Sequence, residues 1–219
     1  MKSDLELRWN PNASSPVYAL AVSGSSVYVG GSFVQIGSRT RIGLAEIDTS
    51  SGTATRWDAN GNGAVYAMSV SGSSVYIGGL FTNIGGQPRN RLASLNLSDA
   101  SATAWNPNIN DRVSSFVISG NTVYVGGAFD SVGNQPRNAL AAVSLSDGSV
   151  LAWNPSANDS VKSIAVSGST VFAAGSFTSI GGVARKGVAS MDGTSGIVSS
   201  WNPDPNGLAT VVAVSGSTV

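Results

Sequence analysis

The residues of this chain that could do chemistry are mainly arginine, asparagine and aspartate. The 219 residues include no histidine and no cysteine, so the commonest general base, the commonest metal ligand and all thiolate chemistry are excluded. Glycoside hydrolysis needs two carboxylates at a fixed separation, and the 12 acidic residues form no pair that recurs along the chain. We therefore expect no catalytic residue, no metal, no cofactor and no enzymatic activity.

Arginine recurs at a fixed spacing and supplies the first candidate binding groups. Successive members of this set lie 48 residues apart, at Arg41, Arg89, Arg137 and Arg185. A row of guanidinium groups could bind an anionic ligand. Alternatively, each arginine could donate its five N–H groups to loop carbonyls of the neighbouring repeat. Both readings stay open, and the four arginines are candidate ligand-binding residues.

Asparagine–proline turns supply the second candidate groups. Asn106 and Asn154 each precede a proline, and we expect them to contact a protein or glycan partner. Asp111 and Asp159 follow these turns and could offer carboxylate oxygens to calcium, or could simply cap solvated turns. Because an equivalent position holds Gly63, turn capping is the favoured interpretation.

The elements that must position these residues come from an internal repeat. Its tryptophans have the same 48-residue spacing, at Trp9, Trp57, Trp105, Trp153 and Trp201. An apolar run followed by Gly-Gly-x-Phe ends at Phe33, Phe81 and Phe129, with a weaker copy ending at Phe177. A period of this size determines the architecture, and the chain holds about 4.6 such units.

One unit predicts four antiparallel strands. Residues 64–70 are apolar at nearly every position and predict a strand buried on both faces. Gly72 suits a tight hairpin turn, and the glycine pair that ends the strand at 75–79 predicts a close approach of other atoms. Residues 91–97 alternate as a third strand, and 102–105 form a short fourth strand that ends at the tryptophan.

This pattern predicts an all-β fold, a β-propeller of four-stranded antiparallel blades with a 48-residue repeat. It would be five-bladed or a segment of a larger propeller, with residues 1–219 forming a single propeller domain or propeller segment. The blade units span about 17–57, 65–105, 113–153 and 161–201, and partial strands are expected at 5–9 and 208–219. Open sheet edges favour a homo-oligomer.

The tryptophans are interpreted as buried and structural, because large aromatic side chains rarely stay exposed. The alternative is an exposed ring that stacks on sugars. The two long loop types, which follow the second and the fourth strand, should lie at the same end of each blade because the strands alternate in direction. This long-loop face is the expected binding face, since binding residues are concentrated on loops held by a rigid scaffold.

The repeat also resembles known families. The Gly pair, the Phe, the alternating strand and the Trp resemble the kelch repeat. The fuller phrase resembles the bacterial delta-60 β-propeller repeat, in Gly30-Gly31-Ser32-Phe33, Ile84-Gly85-Gly86-Gln87-Pro88-Arg89 and Trp105-Asn106-Pro107-Asn108. The resemblance implies a part of a larger secreted or surface protein with no catalytic residues. Copper enzymes related to kelch use Tyr, His and Cys, and this chain lacks the last two.

Charge and hydropathy restrict the partners. The net charge is +0 and only 11% of residues are charged, so we expect no nucleic acid partner. No apolar stretch approaches the roughly 18 residues that span a bilayer, and residues 1–6 do not resemble a signal peptide. We expect an extracellular or cell-surface bacterial module, not an enzyme, for adhesion, scaffolding or protein recognition. A lectin-like glycan-binding propeller is the alternative, and a self-assembling structural subunit is the weaker one.

Overall fold

The computed structural model describes residues 9–216 and 218–219, and every helix or strand found in that part of the chain is a β-strand. Contacts divide the chain into two compact units, the first ending at Asn106 and the second beginning at Pro107. Each unit holds two copies of one arrangement, a three-stranded antiparallel sheet with a small two-stranded sheet beside it.

The strands follow the repeat. The first copy contains β1 (Val17–Ser23), β2 (Ser26–Gly31), β3 (Gln35–Ile36), β4 (Arg39–Thr40) and β5 (Leu44–Asp48). The second contains β6 (Val65–Ser71), β7 (Ser74–Gly79), β8 (Asn83–Ile84), β9 (Gln87–Pro88) and β10 (Leu92–Asn96). The third contains β11 (Val113–Ser119), β12 (Thr122–Gly127), β13 (Ser131–Val132), β14 (Gln135–Pro136) and β15 (Leu140–Ser144). The fourth contains β16 (Val161–Ser167), β17 (Thr170–Gly175), β18 (Ser179–Ile180), β19 (Val183–Ala184) and β20 (Val188–Asp192).

In each copy the second strand is the centre of the three-stranded sheet. It pairs with the first strand and with the last, so the first sheet has the order β1-β2-β5. The turn between β6 and β7 is the predicted tight hairpin, with Gly72 at a φ of 59°. The two-stranded sheets, such as β8 with β9, lie in the loop after the central strand. The sequence did not predict this small hairpin.

The predicted fourth strand is reduced to one β-bridge in each copy. In the second copy Leu95 pairs with Ala102, and two backbone bonds, Asn96 N to Ser101 O and Thr103 N to Ser94 O, flank the bridge. In this copy the segment soon reaches Trp105-Asn106-Pro107, whose proline has no N–H to donate. The first copy has Ala59 in place of the proline, and its pairing is equally short. The equivalent bridges are Ile47–Ala54, Val143–Val150 and Met191–Val198.

Burial differs between the first two strands of a copy. The central strand β7 is buried along almost its whole length. In β6, however, only Val65 is buried, and the next six residues are half-buried. The prediction of a strand buried on both faces is therefore wrong for β6. It is an edge strand of its sheet, and a short residue run cannot distinguish an apolar edge strand from a central one.

The glycine pair marks a close approach, as predicted. A Cβ on Gly79 would lie 2.0 Å from the Ala64 carbonyl oxygen, and one on Gly127 would lie 2.0 Å from that of Arg112. The first glycine of a pair faces the next sheet, since a Cβ on Gly30 would meet Met68 at 2.7 Å. At the second glycine an alanine would collide with fixed backbone, so the sequence needs glycine there. The first position holds alanine in the fourth copy, at Ala174.

The core of each unit lies between its two sheets. In the first unit Tyr28 and Trp57 of the first copy pack with Val65, Ile77 and Leu95 of the second. In the second unit the matching cluster joins Tyr124 and Trp153 to the fourth copy, and it includes Val161, Ile164, Ala173 and Met191. The phenylalanines that follow the glycine pairs are all buried, at Phe33, Phe81, Phe129 and Phe177.

Two terminal predictions have different outcomes. The partial strand at 5–9 lies outside the described residues, apart from Trp9. Residues 208–214 form no strand, although Ser215 and Thr218 form a β-bridge. Val212 is nevertheless fixed to the fourth sheet, because its N–H donates to Ser163 Oγ over 3.1 Å.

Candidate functional site

The four candidate arginines hold backbone carbonyls of their own repeat. One terminal nitrogen donates to the carbonyl of the preceding residue, and the other donates to a carbonyl 14 residues later. For Arg137 these acceptors are Pro136 O and Leu151 O, both at 2.8 Å. The acceptors at the later position for the other three are Thr55 O at 2.9 Å, Thr103 O at 2.6 Å and Ser199 O at 2.6 Å.

This geometry differs from the carbonyl-binding interpretation in one respect. The carbonyl-binding alternative placed the acceptors in the neighbouring repeat, whereas the structure places them in the same one. The side chain ties the end of the small hairpin to the segment that carries the β-bridge and the tryptophan. The buried Nε atoms of Arg89, Arg137 and Arg185 have no hydrogen-bond partner among the described residues. In the first repeat Arg41 Nε donates to Trp57 O at 3.2 Å.

Asn106 and Asn154 are exposed in the turns that follow the buried tryptophans. The first repeat has Asp58 at the equivalent position, and its carboxylate forms an ion pair with Arg41 Nη1 at 2.9 Å. In that repeat the turn position therefore contributes to the arginine network. The candidate residues Asn106 and Asn154 do not line the cavities described below.

The two long loop types contact each other within each copy. Asn62 Oδ1 accepts the N–H groups of Thr82 and Asn83 at 2.9 and 3.0 Å. Asn110 and Asn158 make the same pair of bonds in the third and fourth copies. The side-chain oxygens of Asn110 and Asn158, beside the aspartates considered for calcium, thus accept from backbone donors.

The neighbouring aspartates cap turns in the same way. Asp111 Oδ1 accepts the Arg112 N–H at 2.6 Å, and Asp159 Oδ1 accepts the Ser160 N–H at 2.5 Å. Over the described ranges, no three acidic, histidine or cysteine side chains are grouped as metal ligands would be.

A cavity of about 400 Å³ opens between these loops in the second unit. Phe129, Ala139 and Ala157 supply apolar lining, and its polar groups come from Asp130, Asn138, Asn158, Asp159 and Ser160. Two carboxylates and no lysine or arginine line it, so the cavity favours a ligand with hydrogen-bond donors or a positive charge.

The same cavity recurs one repeat later with different side chains. It has a volume of about 300 Å³ and is lined by Phe177, Thr178, Lys186, Gly187 and Gly207 among others. Thr178 replaces Asp130, Lys186 replaces Asn138, and Gly207 replaces Asp159. Lys186 Nζ lies 3.2 Å from Asp204 Oδ1. The second unit therefore carries two cavities at equivalent positions, one lined by two carboxylates and the other by one lysine that is paired with Asp204.

Sequence reasoning named Asp159 only as a turn cap or calcium ligand and missed the other polar residues of this cavity. The available signal was variation rather than repetition: Asp130, Asn138 and Asp159 stand at loop positions whose residue type changes from copy to copy. The candidate arginines were selected because they repeat, and repetition selects residues that maintain the scaffold. Loop positions that vary on a constant scaffold are better candidates for binding.

A carboxylate network connects two strands and the β-bridge segment of the first repeat through Glu46. Glu46 Oε1 accepts the hydroxyls of Ser26 and Tyr28 at 2.6 and 3.2 Å, and Oε2 accepts the Thr55 hydroxyl. Burial, followed by the charge of Glu46, raises the pKa of Tyr28 to about 12. Burial also raises the pKa of Tyr124, with Asp192 as the second cause. Both tyrosines therefore remain neutral donors at ordinary pH.

Aspartates organise the turn after the last strand of each sheet: Asp48 and its equivalent Asp192 begin the turn, whereas Asp99 and Asp147 lie three residues further along it. Asp48 Oδ1 accepts from the N–H and hydroxyl groups of Ser50 and Ser51 at 2.6 to 3.1 Å. These bonds lower the pKa of Asp48 to about 2. Serine donors similarly lower the pKa of Asp99, Asp147 and Asp192. These aspartates are structural caps and remain ionised.

Among residues 9–216 and 218–219, no helix is long and apolar enough to cross a bilayer.

Comparison with solved structures gives similarity of fold alone. The computationally designed Ika4 protein is 17% identical with a TM-score of 0.56, over 84% of this chain and 94% of that one. The designed Ika8 protein is 12% identical with a TM-score of 0.57, over 94% of this chain and 68% of the other. The extracellular domain of a protein described as a one component system from B. thetaiotaomicron is 14% identical with a TM-score of 0.54. That match covers 84% of this chain and 22% of the other.

Comparison by sequence gives a shorter match. No curated protein matches this chain. Residues 74–99 match a family described as a domain of unknown function (DUF5122) beta-propeller. They include β7, the β8–β9 hairpin and β10, which together form most of one copy. The chain therefore contains a β-propeller repeat within an all-β fold of four repeated antiparallel arrangements.

Proposed function

We propose that this chain is a non-enzymatic repeat module of a secreted or cell-surface bacterial protein, for adhesion, scaffolding or protein recognition. In this proposal each 48-residue unit is a propeller blade, and the β-bridge segment is its short fourth strand. The match of residues 74–99 to a β-propeller family and the similarity of fold to an extracellular domain support this proposal.

The observation that carries the proposal is the acidic cavity between the loops of the third and fourth copies. Its two sides are joined by a backbone hydrogen bond, in which Ala157 N donates to Asn138 O at 3.1 Å, and Phe129 in its lining is buried. With a volume of about 400 Å³ it lies within the range of ligand pockets. Two carboxylates without a neighbouring cation favour a partner that inserts a lysine or arginine side chain.

The test is a selection from a displayed random-peptide library, first on the wild-type chain and then on the double variant Asp130→Thr, Asp159→Gly. Both replacements are the natural residues of the equivalent cavity, Thr178 and Gly207, so the scaffold should tolerate them. We expect the selected peptides to share a basic residue and to bind the variant at least ten-fold more weakly. Peptides that bind both proteins equally would contradict the proposal.

A glycan is the second candidate ligand, because amide, carboxylate and hydroxyl groups surround the apolar part of the same cavity. A glycan array would separate the two candidates. Binding of a sugar that is lost in the Asp130→Thr, Asp159→Gly variant would favour the lectin-like alternative. No sugar binding would leave the protein-recognition role, and hydrolysis of chromogenic glycosides by the wild type would contradict the non-enzymatic one.

A further inference from the structure

The first strand of the first sheet, β1, presents an apolar face that no sheet of the described residues covers. Leu20 is 63% exposed and Val22 is 66% exposed. Alternate residues of a strand point to the same side of the sheet, so Leu20 and Val22 form one continuous apolar surface. We call this surface the β1 face. None of its residues is charged.

The equivalent residues elsewhere in the chain are packed against a neighbouring sheet. Met68 and Val70 of β6 are partly buried and pack with Tyr28 and Ala21 of the first sheet. In the second unit Ile164 and Val166 of β16 pack in one cluster with Tyr124 and Val117. The residues equivalent to the β1 face are therefore covered by a neighbouring sheet both in β6 and in β16.

The second unit carries the complementary surface. Residues 208–214 lie on the fourth sheet, since Ser163 Oγ bonds both to Val212 N at 3.1 Å and to Val212 O at 3.3 Å. An equivalent hydrogen bond joins β16 to the third sheet, because Ile164 N donates to Ser115 Oγ at 3.2 Å. Residues 208–214 are thus positioned as the first strand of another copy.

The outer side of this segment is exposed and apolar. Val211 is 75% exposed and Ala213 is also exposed, whereas Val212 and Val214 between them are half-buried. Val211 is the repeat equivalent of Ser163, and Ala213 is the equivalent of Ala165. Ser163 and Ala165 are on the side of β16 that contacts Val212. We call Val211 and Ala213 the 211 face.

We propose that the β1 face of one copy of this chain packs on the 211 face of a second copy, in a head-to-tail interface. The contact reproduces the sheet-on-sheet packing that occurs within each unit, with uncharged apolar side chains on both sides. The register follows from the repeat: Ser115 meets Ile164 and Ser163 meets Val212, so Val211 should meet Leu20 of the second copy. A heterologous interface of this kind builds closed rings or open chains of copies.

Disulfide trapping tests this pairing directly, because the chain has no cysteine of its own. Copies carrying Leu20→Cys and copies carrying Val211→Cys are prepared separately, mixed and oxidised. We expect a covalent mixed dimer in good yield, since the two positions would meet across the interface. Val34→Cys mixed with Val211→Cys is the matched control, because Val34 is similarly exposed at 59% but lies outside the β1 face.

Three results would overturn the proposal. One is a yield of mixed dimer no higher than in the Val34 control. Another is efficient cross-linking of Leu20→Cys copies alone, which would mean that the β1 faces pair with each other. The third concerns the double variant Leu20→Cys, Val211→Cys, oxidised at high protein concentration. If its disulfide forms only within one chain and not between chains, the proposal is overturned.

Sedimentation velocity supplies an independent readout on the chain without cysteine. The chain has a mass of 22.1 kDa, and we expect the weight-average mass to rise to at least twice that value with concentration. Leu20→Asp and Val211→Asp should each weaken association at least ten-fold, whereas Val34→Asp should not. A monomer throughout the micromolar range would overturn the proposal. So would an unchanged association constant in both charged variants, provided that circular dichroism shows them folded.

Discussion

At the residue scale, the guanidinium groups that repeat along the sequence hold the backbone of their own copies. Arg137 is buried and donates to the carbonyls of Pro136 and Leu151. A hydrogen bond from a charged donor to a buried acceptor contributes about 1.5–3 kcal/mol. The arginine series thus explains how a small hairpin stays attached to a segment that has only one β-bridge.

Replacing Arg137 with methionine should therefore lower the free energy of unfolding by about 1–3 kcal/mol, because the side-chain stem remains while the donors are lost. Urea denaturation of wild type and variant measures this. Arg56→Met is the matched control: Arg56 is exposed, and its replacement should change stability by less than about 0.5 kcal/mol. Equal losses in both variants would contradict the assigned role.

The Asp48 cap predicts a pH dependence at the same scale. Its pKa falls from 3.8 to about 2 on folding, so the folded state favours the carboxylate. Its contribution to stability is complete above about pH 4 and is lost as the pH falls to about 2. The difference in unfolding free energy between wild type and Asp48→Asn should therefore shrink over that interval. A difference that stays constant from pH 5 to pH 2 would contradict the cap.

At the element scale, each sheet is fastened by an aromatic pair. Tyr28–Trp57, Tyr76–Trp105 and Tyr124–Trp153 meet edge to face with ring centroids 5.1 to 5.2 Å apart. Trp57 and Trp153 also donate their indole N–H to the carbonyls of Asn96 and Asp192. The interpretation of buried, structural tryptophans is confirmed for these three. Trp9, in contrast, is 40% exposed.

This contrast provides a matched pair of variants within one unit. Trp105 is 5% exposed, so Trp105→Ala should cost about 3–5 kcal/mol of unfolding free energy by leaving a cavity against Tyr76. Trp9→Ala should cost less than about 1 kcal/mol because much of that ring is already solvated. Chemical denaturation followed by circular dichroism measures both. A loss below about 1 kcal/mol for Trp105→Ala would contradict the burial.

At the scale of the whole molecule, apolar surface and the absence of net charge set the behaviour in solution. The net charge is +0 at pH 7, so electrostatic repulsion does little to oppose contact between copies. The β1 face and the 211 face are uncharged. The head-to-tail association proposed above should accordingly be hydrophobic in character.

That character predicts a specific salt response. The association constant should change less than about two-fold between 0.05 and 0.5 M sodium chloride, since no charge pair is screened. It should rise in ammonium sulfate, because kosmotropic salts strengthen apolar burial. Sedimentation velocity in each buffer measures both trends. A steep fall in association with sodium chloride would indicate an ionic interface instead.

The sequence by itself determined the periodic part of this protein. Strand order within a copy, the hairpin at Gly72 and the need for glycine at Gly79 follow from local rules: turn geometry, residue alternation and the space that a Cβ requires. These rules act over a few residues, so four similar copies predict them four times.

Only the tertiary structure decided which side chains meet. The sequence could not indicate that Arg137 binds a carbonyl of its own copy, that Asp130 and Asp159 line one cavity, or that Trp9 is exposed while Trp105 is buried. Each of these depends on how segments distant in sequence come together. Equivalent residues such as Leu20 and Met68 also differ in burial, because a repeat specifies the side chain whereas the neighbouring sheet determines its surroundings.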